Sequence, residues 1–171
     1  DLQTRLGGNA TDARLALGPW GKVDTAVAVD REASGFTQNY AIGLRHADGW
    51  RDHAMADRSS LSGQWTWQPP GQDTRYGLAL RAHRTQAEEP GYLTAQAWRA
   101  NPRQSDPVSA TDGGTRDLGQ AVLSAEGGQR GTLAWRALVY VNRFEDQRFV
   151  RFSAAASQQE RDTDETHAGA R

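Results

Sequence analysis

Along most of the chain, apolar and polar residues alternate one for one, the repeat of an extended strand whose two faces meet different surroundings. Lys22 to Arg31 aligns Val23, Thr25, Val27 and Val29. Phe36 to His46 sets Phe36, Tyr40, Ile42 and Leu44 opposite Asn39, Ala41, Gly43 and Arg45. Arg58 to Gln68 sets Leu61, Gly63, Trp65 and Trp67 opposite Ser60, Ser62, Gln64 and Thr66. Thr74 to Gln86 sets Tyr76, Leu78, Leu80 and Ala82 opposite Arg75, Gly77, Ala79, Arg81 and His83. Thr132 to Phe144 aligns Leu133, Trp135, Ala137, Val139 and Val141. Asp12 to Gly18 and Asp117 to Glu126 read as further strands, and Leu2 to Gly8 as a weaker one. Helical spacing is scarce, so the pattern predicts an all-β chain of roughly seven or eight antiparallel up-and-down strands.

The connections differ in length. "PPGQD" and "GGQRG" are short and rich in turn residues, whereas 47–56, 87–114 and the polar tail 145–171 read as long loops. Transmembrane β-barrels show this asymmetry, with short periplasmic turns and long external loops. Alternation of strand direction puts "GPWG" outside and "REASG" on the periplasmic side.

The nature of the polar faces decides between a protein core and lipid. They carry Ser, Gln, Asn, Gly and Arg, and Lys22 is the only lysine in the chain. Such faces suit a lumen whose side chains hydrogen-bond to one another. Trp65, Trp67 and Tyr76 cluster beside the "PPGQD" turn, where a membrane–water interface favours aromatic rings. Several runs reach about ten residues, long enough to cross a bilayer at a tilt, whereas a soluble sandwich strand is nearer five or six. The sequence therefore predicts Leu61, Trp65, Trp67, Tyr76, Leu78, Leu80 and Val139 facing lipid. Arg45, Arg81 and His83 then face the lumen or a plug within it. Arg143 falls on the apolar side of its strand, close to a loop where charge is tolerated.

Composition narrows the field. Apolar residues make up 37% of the chain, below the usual range of about 45–50%. Six tryptophans and long alternating runs argue against disorder. A net charge of -1 gives no field for nucleic acid. The absence of cysteine removes disulfides, thiol catalysis and cysteine-based zinc sites. No apolar run reaches the length of a transmembrane helix. Asp1 opens almost directly on strand-like sequence and "DETHAGAR" ends without a terminator, so residues 1–171 are expected to be a fragment of one β-barrel domain.

Three stretches in order carry a family resemblance: "LRHADGWRDHAMADRSSLSGQWTW" (44–67), "TRYGLALRAHRTQAEEPGYLT" (74–94) and "WRANPRQSDP" (98–107). Together they resemble the early barrel of TonB-dependent outer-membrane receptors, over about residues 12 to 145. The motifs are short, and their order and spacing carry more than any one of them. The resemblance implies a bacterial outer-membrane barrel of about 22 strands around a plug. It also implies uptake of a ferric siderophore or a similar scarce nutrient. The partners it implies are a plug domain of the same chain, the TonB complex through a preceding region, the ligand, and outer-membrane lipid.

The loops hold the ligand candidates. Trp50 and Arg51 lie in "DGWRD", and Tyr92, Trp98, Arg99 and Arg103 lie between "PGYL" and "NPRQS". Aromatic rings and guanidinium groups suit catecholate ligands through stacking and cation–π contact. The plainer reading makes Arg51 a loop brace paired with Asp48 or Asp52, with Gly49 supplying a positive φ. The four histidines lack metal-site spacing, and "ERDTDE" lacks the glycine of a calcium loop. No nucleophile–base set and no phosphate-cradling loop is present, so neither enzyme chemistry nor a cofactor is expected. The rival readings are a soluble all-β carbohydrate-binding module and another outer-membrane barrel such as a passive porin.

Overall fold

The computed structural model of the chain describes residues 8–128 and 133–171. They form one open sheet of eight antiparallel strands, each hydrogen-bonded to the next in chain order. The strands are β1 (Ala10–Leu17), β2 (Val23–Ala33), β3 (Phe36–Ala47), β4 (Ala56–Trp67), β5 (Arg75–Glu88), β6 (Gly113–Gly127), β7 (Trp135–Val150) and β8 (Gln159–Ala170). A short helix, α1 (Ala95–Ala100), and a 3-10 turn, Pro107–Ser109, lie between β5 and β6.

Local chemistry sets these limits. β2 turns into β3 through Ser34 and Gly35, both at positive φ (51° and 77°), the geometry whose twist matches a two-residue hairpin. Gly63 is required on β4 because the Trp65 ring folds back over it: a Cβ there would lie 2.3 Å from the indole. Thr94 caps α1 through a hydrogen bond from the Ala97 amide, 3.1 Å long, and Asp106 caps the 3-10 turn through the Val108 amide.

The strands expected from alternation are present, with shifted ends. The tail is a correction: 145–171 is not a loop, since β7 continues to Val150 and β8 pairs with it from Gln159↔Val150 to Ala170↔Val139. β8 lacks an apolar stripe over most of its length because its paired residues stand beyond the apolar part of β7. The 87–114 loop is shorter than expected and contains α1 and the 3-10 turn. The candidate strand Leu2–Gly8 falls outside the described residues apart from Gly8, and so do Gln129–Gly131 of "GGQRG" and Thr132.

Pairing register sorts the side chains onto two continuous faces. Ile42, Leu61 and Ala82 align across β3, β4 and β5, as do Trp65, Leu78, Leu123 and Val139 across β4 to β7. These residues belong to the apolar face, and most of its large side chains are exposed, among them Leu15, Leu17, Leu44, Leu61, Leu123 and Val139. The opposite, polar face holds the better buried strand residues Asp24, Ala26, Asp30, Asn39 and Ala41. The sheet curls toward that polar side. A groove of about 460 Å3 is lined by Glu32 on β2 and by Arg136 on β7. A flat sheet would hold those strands five spacings of about 4.8 Å apart.

Candidate functional site

Three connections at one end of the sheet knit into a cap. Arg51 is its centre. Its Nη1 donates to the Gly91 carbonyl (2.7 Å), Nη2 to the Pro90 (3.0 Å) and Gln104 (3.0 Å) carbonyls, and Nε to Gln104 again (3.1 Å). The expected partners Asp48 and Asp52 are not used by this side chain. A planar guanidinium reaches several oxygens in fixed directions, and that geometry suits a turn whose carbonyls converge. The Asp52 amide donates to the Arg103 carbonyl (2.7 Å), and Arg103 Nε donates to the Trp50 carbonyl (3.2 Å). Trp50 and Trp98 then meet with ring centroids 5.7 Å apart at 44°.

The cap is fastened to the strands by charge and backbone contacts. His53 Nε2 donates to the Asp112 carbonyl at 2.7 Å. The Asp112 carboxylate, almost fully buried, accepts from the Arg151 amide at 2.8 Å and from Gln158. Arg148 grips Glu89 through two nitrogens at 2.9 and 2.7 Å. His46 lies two residues past Leu44, the last apolar side chain on its face of β3, and so outside the apolar span. Its Nδ1 faces Asp57 at 2.6 Å and its Nε2 faces Asp48 at 3.1 Å. The carboxylate of Asp57 first, then that of Asp48, raises its pKa above 6.5 by stabilising the imidazolium.

The predicted ligand residues divide into two groups. Trp50, Arg51, Trp98 and Arg103 converge in the cap, with Arg51 spent on structure. Tyr92 is 95% exposed at the edge of the same loop, and Arg99 is exposed on α1 without an ion pair among the described residues. The predicted wall residues keep to their faces. Leu61, Trp65, Trp67, Tyr76, Leu78, Leu80 and Val139 share the apolar face, and Arg45, Arg81 and His83 share the polar one. Arg45 pairs with Asp24, whose other oxygen accepts from Arg14 at 3.0 Å. Arg81 donates to Gln120 at 3.3 Å, and His83 contacts Thr85 at 2.9 Å.

The Trp65 indole and the Tyr40 hydroxyl are satisfied within the apolar face. Trp65 Nε1 donates to the Tyr40 hydroxyl (3.0 Å), which donates to Gln38 (2.7 Å). Trp67 stacks on Tyr76 at 5.9 Å. Above this zone the same face turns ionic, with Arg84 beside Asp117 and Arg143 between Glu145 and Asp164. Sequence reasoning missed the Asp112 hub and the Arg148–Glu89 clasp. Among the described residues no group of three metal-binding side chains occurs, and no helix is long and apolar enough to cross a membrane. The described residues thus form an all-β architecture of eight up-and-down strands in one open sheet. Comparison with known protein families and with curated proteins returns no match.

Proposed function

We propose that this sheet is part of the wall of a transmembrane β-barrel, with its apolar face toward outer-membrane lipid and its polar face toward the lumen. The observation that carries this reading is the inverted burial: large apolar side chains stand exposed on one face while Asp24, Asp30 and Asn39 are enclosed on the other. A water-soluble sheet does the reverse, since exposed apolar area costs free energy in water. On β3 the apolar residues run from Phe36 to Leu44. Eight steps of about 3.4 Å at a tilt of about 40° cover about 21 Å, close to the apolar band of such barrels. The self-satisfied Trp65–Tyr40–Gln38 chain suits a phase that offers no hydrogen bonds.

Within this reading the barrel is that of a TonB-dependent receptor for a ferric siderophore or a related scarce nutrient. A plug domain of the same chain fills the lumen, and the TonB complex supplies energy. The Trp50–Trp98 pair with Arg103 and the exposed Tyr92 supports ligand capture at the capped end. The wall contributes passage, without covalent chemistry.

Single cysteines carrying a nitroxide test the wall, and the chain has no cysteine of its own. In reconstituted vesicles, labels at Leu61, Leu80 and Val139 should collide with oxygen far more than with a water-soluble nickel complex. Labels at Gln64 and Arg81 should show the reverse. Nickel access at all five positions would end the membrane reading. Quenching of tryptophan fluorescence by ferric catecholates or hydroxamates, reduced in Trp98→Ala, tests capture separately.

A further inference from the structure

Two carboxylates lie on the polar face of β2 and are equally enclosed, yet they are treated differently. Asp24 is 8% exposed and receives two arginines, Arg14 and Arg45. Asp30 is 6% exposed and has no cation among the described residues; its side chain is met only by the Asn39 amide. Asn39 is 8% exposed and donates its Nδ2 to Asp30, leaving its own Oδ1 without a partner. The reverse amide orientation would set that oxygen against the carboxylate, acceptor against acceptor. Neighbouring strands therefore hold an enclosed carboxyl group with no cation among the described residues and, beside it, an amide oxygen without a donor. Both omissions are costly and both call for the same thing, N–H donors bearing positive charge.

Space for such a donor adjoins them. The groove on the polar face has Glu32, Thr37 and Gln64 among its lining, with Arg75, Glu126 and Arg136 farther across, and Asp30 and Asn39 lie just beyond that lining. Glu32 and Thr37 each lie two residues from Asp30 or Asn39 on the same side of their strands, and Gln64 is the β4 partner of Asn39. Small residues, Ala28, Ala41 and Ser62, continue the floor in the other direction, aligned across β2, β3 and β4. A metal ion fits poorly, since two oxygens fall far short of the six or so that calcium collects. A guanidinium matches these acceptors in chemistry: it is planar, permanently charged and carries paired donors that bridge adjacent acceptors.

We infer that Asp30 and Asn39 form a binding site for a guanidinium group, entered from the groove on the polar face. The arginine that carries it belongs to a segment or ligand seated against this face. The site holds whatever phase covers the other face, so its test stands apart from that of the membrane reading.

The probe is methylguanidinium chloride, titrated into the folded chain in detergent micelles and followed by NMR at the Asn39 side-chain amide and the Asp30 carboxyl carbon. Saturable shifts at both are expected in the millimolar range, with methylammonium weaker and sodium chloride at equal ionic strength inert. Asp30→Asn should weaken binding by about tenfold or more, through loss of a charge-assisted hydrogen bond. Asn39→Leu, which removes the unpartnered amide oxygen, should weaken it as well. Asp117→Asn, which removes a charge on the opposite face of the sheet, should leave it unchanged. No saturable shift, an equal response to sodium, or undiminished binding in Asp30→Asn would each overturn the inference. If Asp30→Asn fails to fold, the Asn39→Leu titration decides alone, and undiminished binding there refutes the site.

Discussion

Leu80 and Leu118 offer a matched pair. Leu80 lies on the apolar face and is 41% exposed; Leu118 lies on the polar face and is 42% exposed. Both sit within long strands, β5 and β6, and neither is packed into a closed interior. Substitution by arginine removes the same side chain and adds the same charge, so any difference reports the surrounding phase. In register, Leu80 pairs with Gly63, which pairs with Tyr40, midway between the Phe36 and Leu44 ends of the apolar span. Near the middle of a bilayer, arginine on the lipid face of a barrel costs about 2–4 kcal/mol, whereas a water-exposed surface substitution stays within about 0.5 kcal/mol. Leu80→Arg should therefore destabilise the chain by about 2–4 kcal/mol and Leu118→Arg by no more than about 0.5 kcal/mol. Leu44→Arg, at the upper end of the span, should cost only about 0–1 kcal/mol. The assay is guanidinium chloride unfolding in lipid vesicles, followed by tryptophan emission, with the slope required to stay constant across variants. Equal midpoints for Leu80→Arg and Leu118→Arg would refute the two-phase reasoning. A large loss at Leu44 as well as Leu80 would point instead to a protein layer over the whole apolar face.

Three further outcomes are expected. Tyr40→Phe strands the Trp65 indole N–H and the Gln38 amide, and should cost about 1–3 kcal/mol in vesicles if no water reaches them; a cost near zero would place that chain in contact with water. Arg51→Lys cannot reproduce the fork onto Pro90, Gly91 and Gln104, so hydrogen exchange at the Asp52 and Asp106 amides should quicken by an opening energy of about 1.5–3 kcal/mol, with β4 and β5 unchanged. His46, flanked by two carboxylates, should titrate above 6.5 by NMR, and Asp57→Asn should lower its midpoint. Its contribution to holding the 48–55 loop is accordingly complete below pH 6.5 and lost as pH rises through the raised value; a midpoint at or below 6.5 would contradict the two contacts.

The alternating strands were legible because each had a face whose apolar residues survive in the exposed apolar surface. β8 was not. Glu160, Asp162 and Asp164 on one side and Arg161, Thr163 and Glu165 on the other give no contrast of phase, and only the backbone ladder to β7 makes them a strand. α1 is six residues long, too short for a helical period, although Thr94 ahead of an alanine-rich run was a usable start signal. In the cap, the residue types were read correctly but their partners were not. Arg51 binds carbonyls about 40 to 53 positions away, and backbone oxygens leave no mark in a side-chain pattern. Asp112 was invisible for the same reason: its partners include a main-chain amide 39 positions on.

The two-residue link at Ser34–Gly35 has a consequence beyond its own geometry. It locks Ala33 opposite Phe36, and every later pairing in β2 and β3 counts from there. One residue added at that corner would rotate β3 by half a repeat, presenting Asn39 and Gly43 where Tyr40 and Leu44 now stand. A peptide bond's worth of length at a corner thus decides which solvent each half of the hairpin inherits.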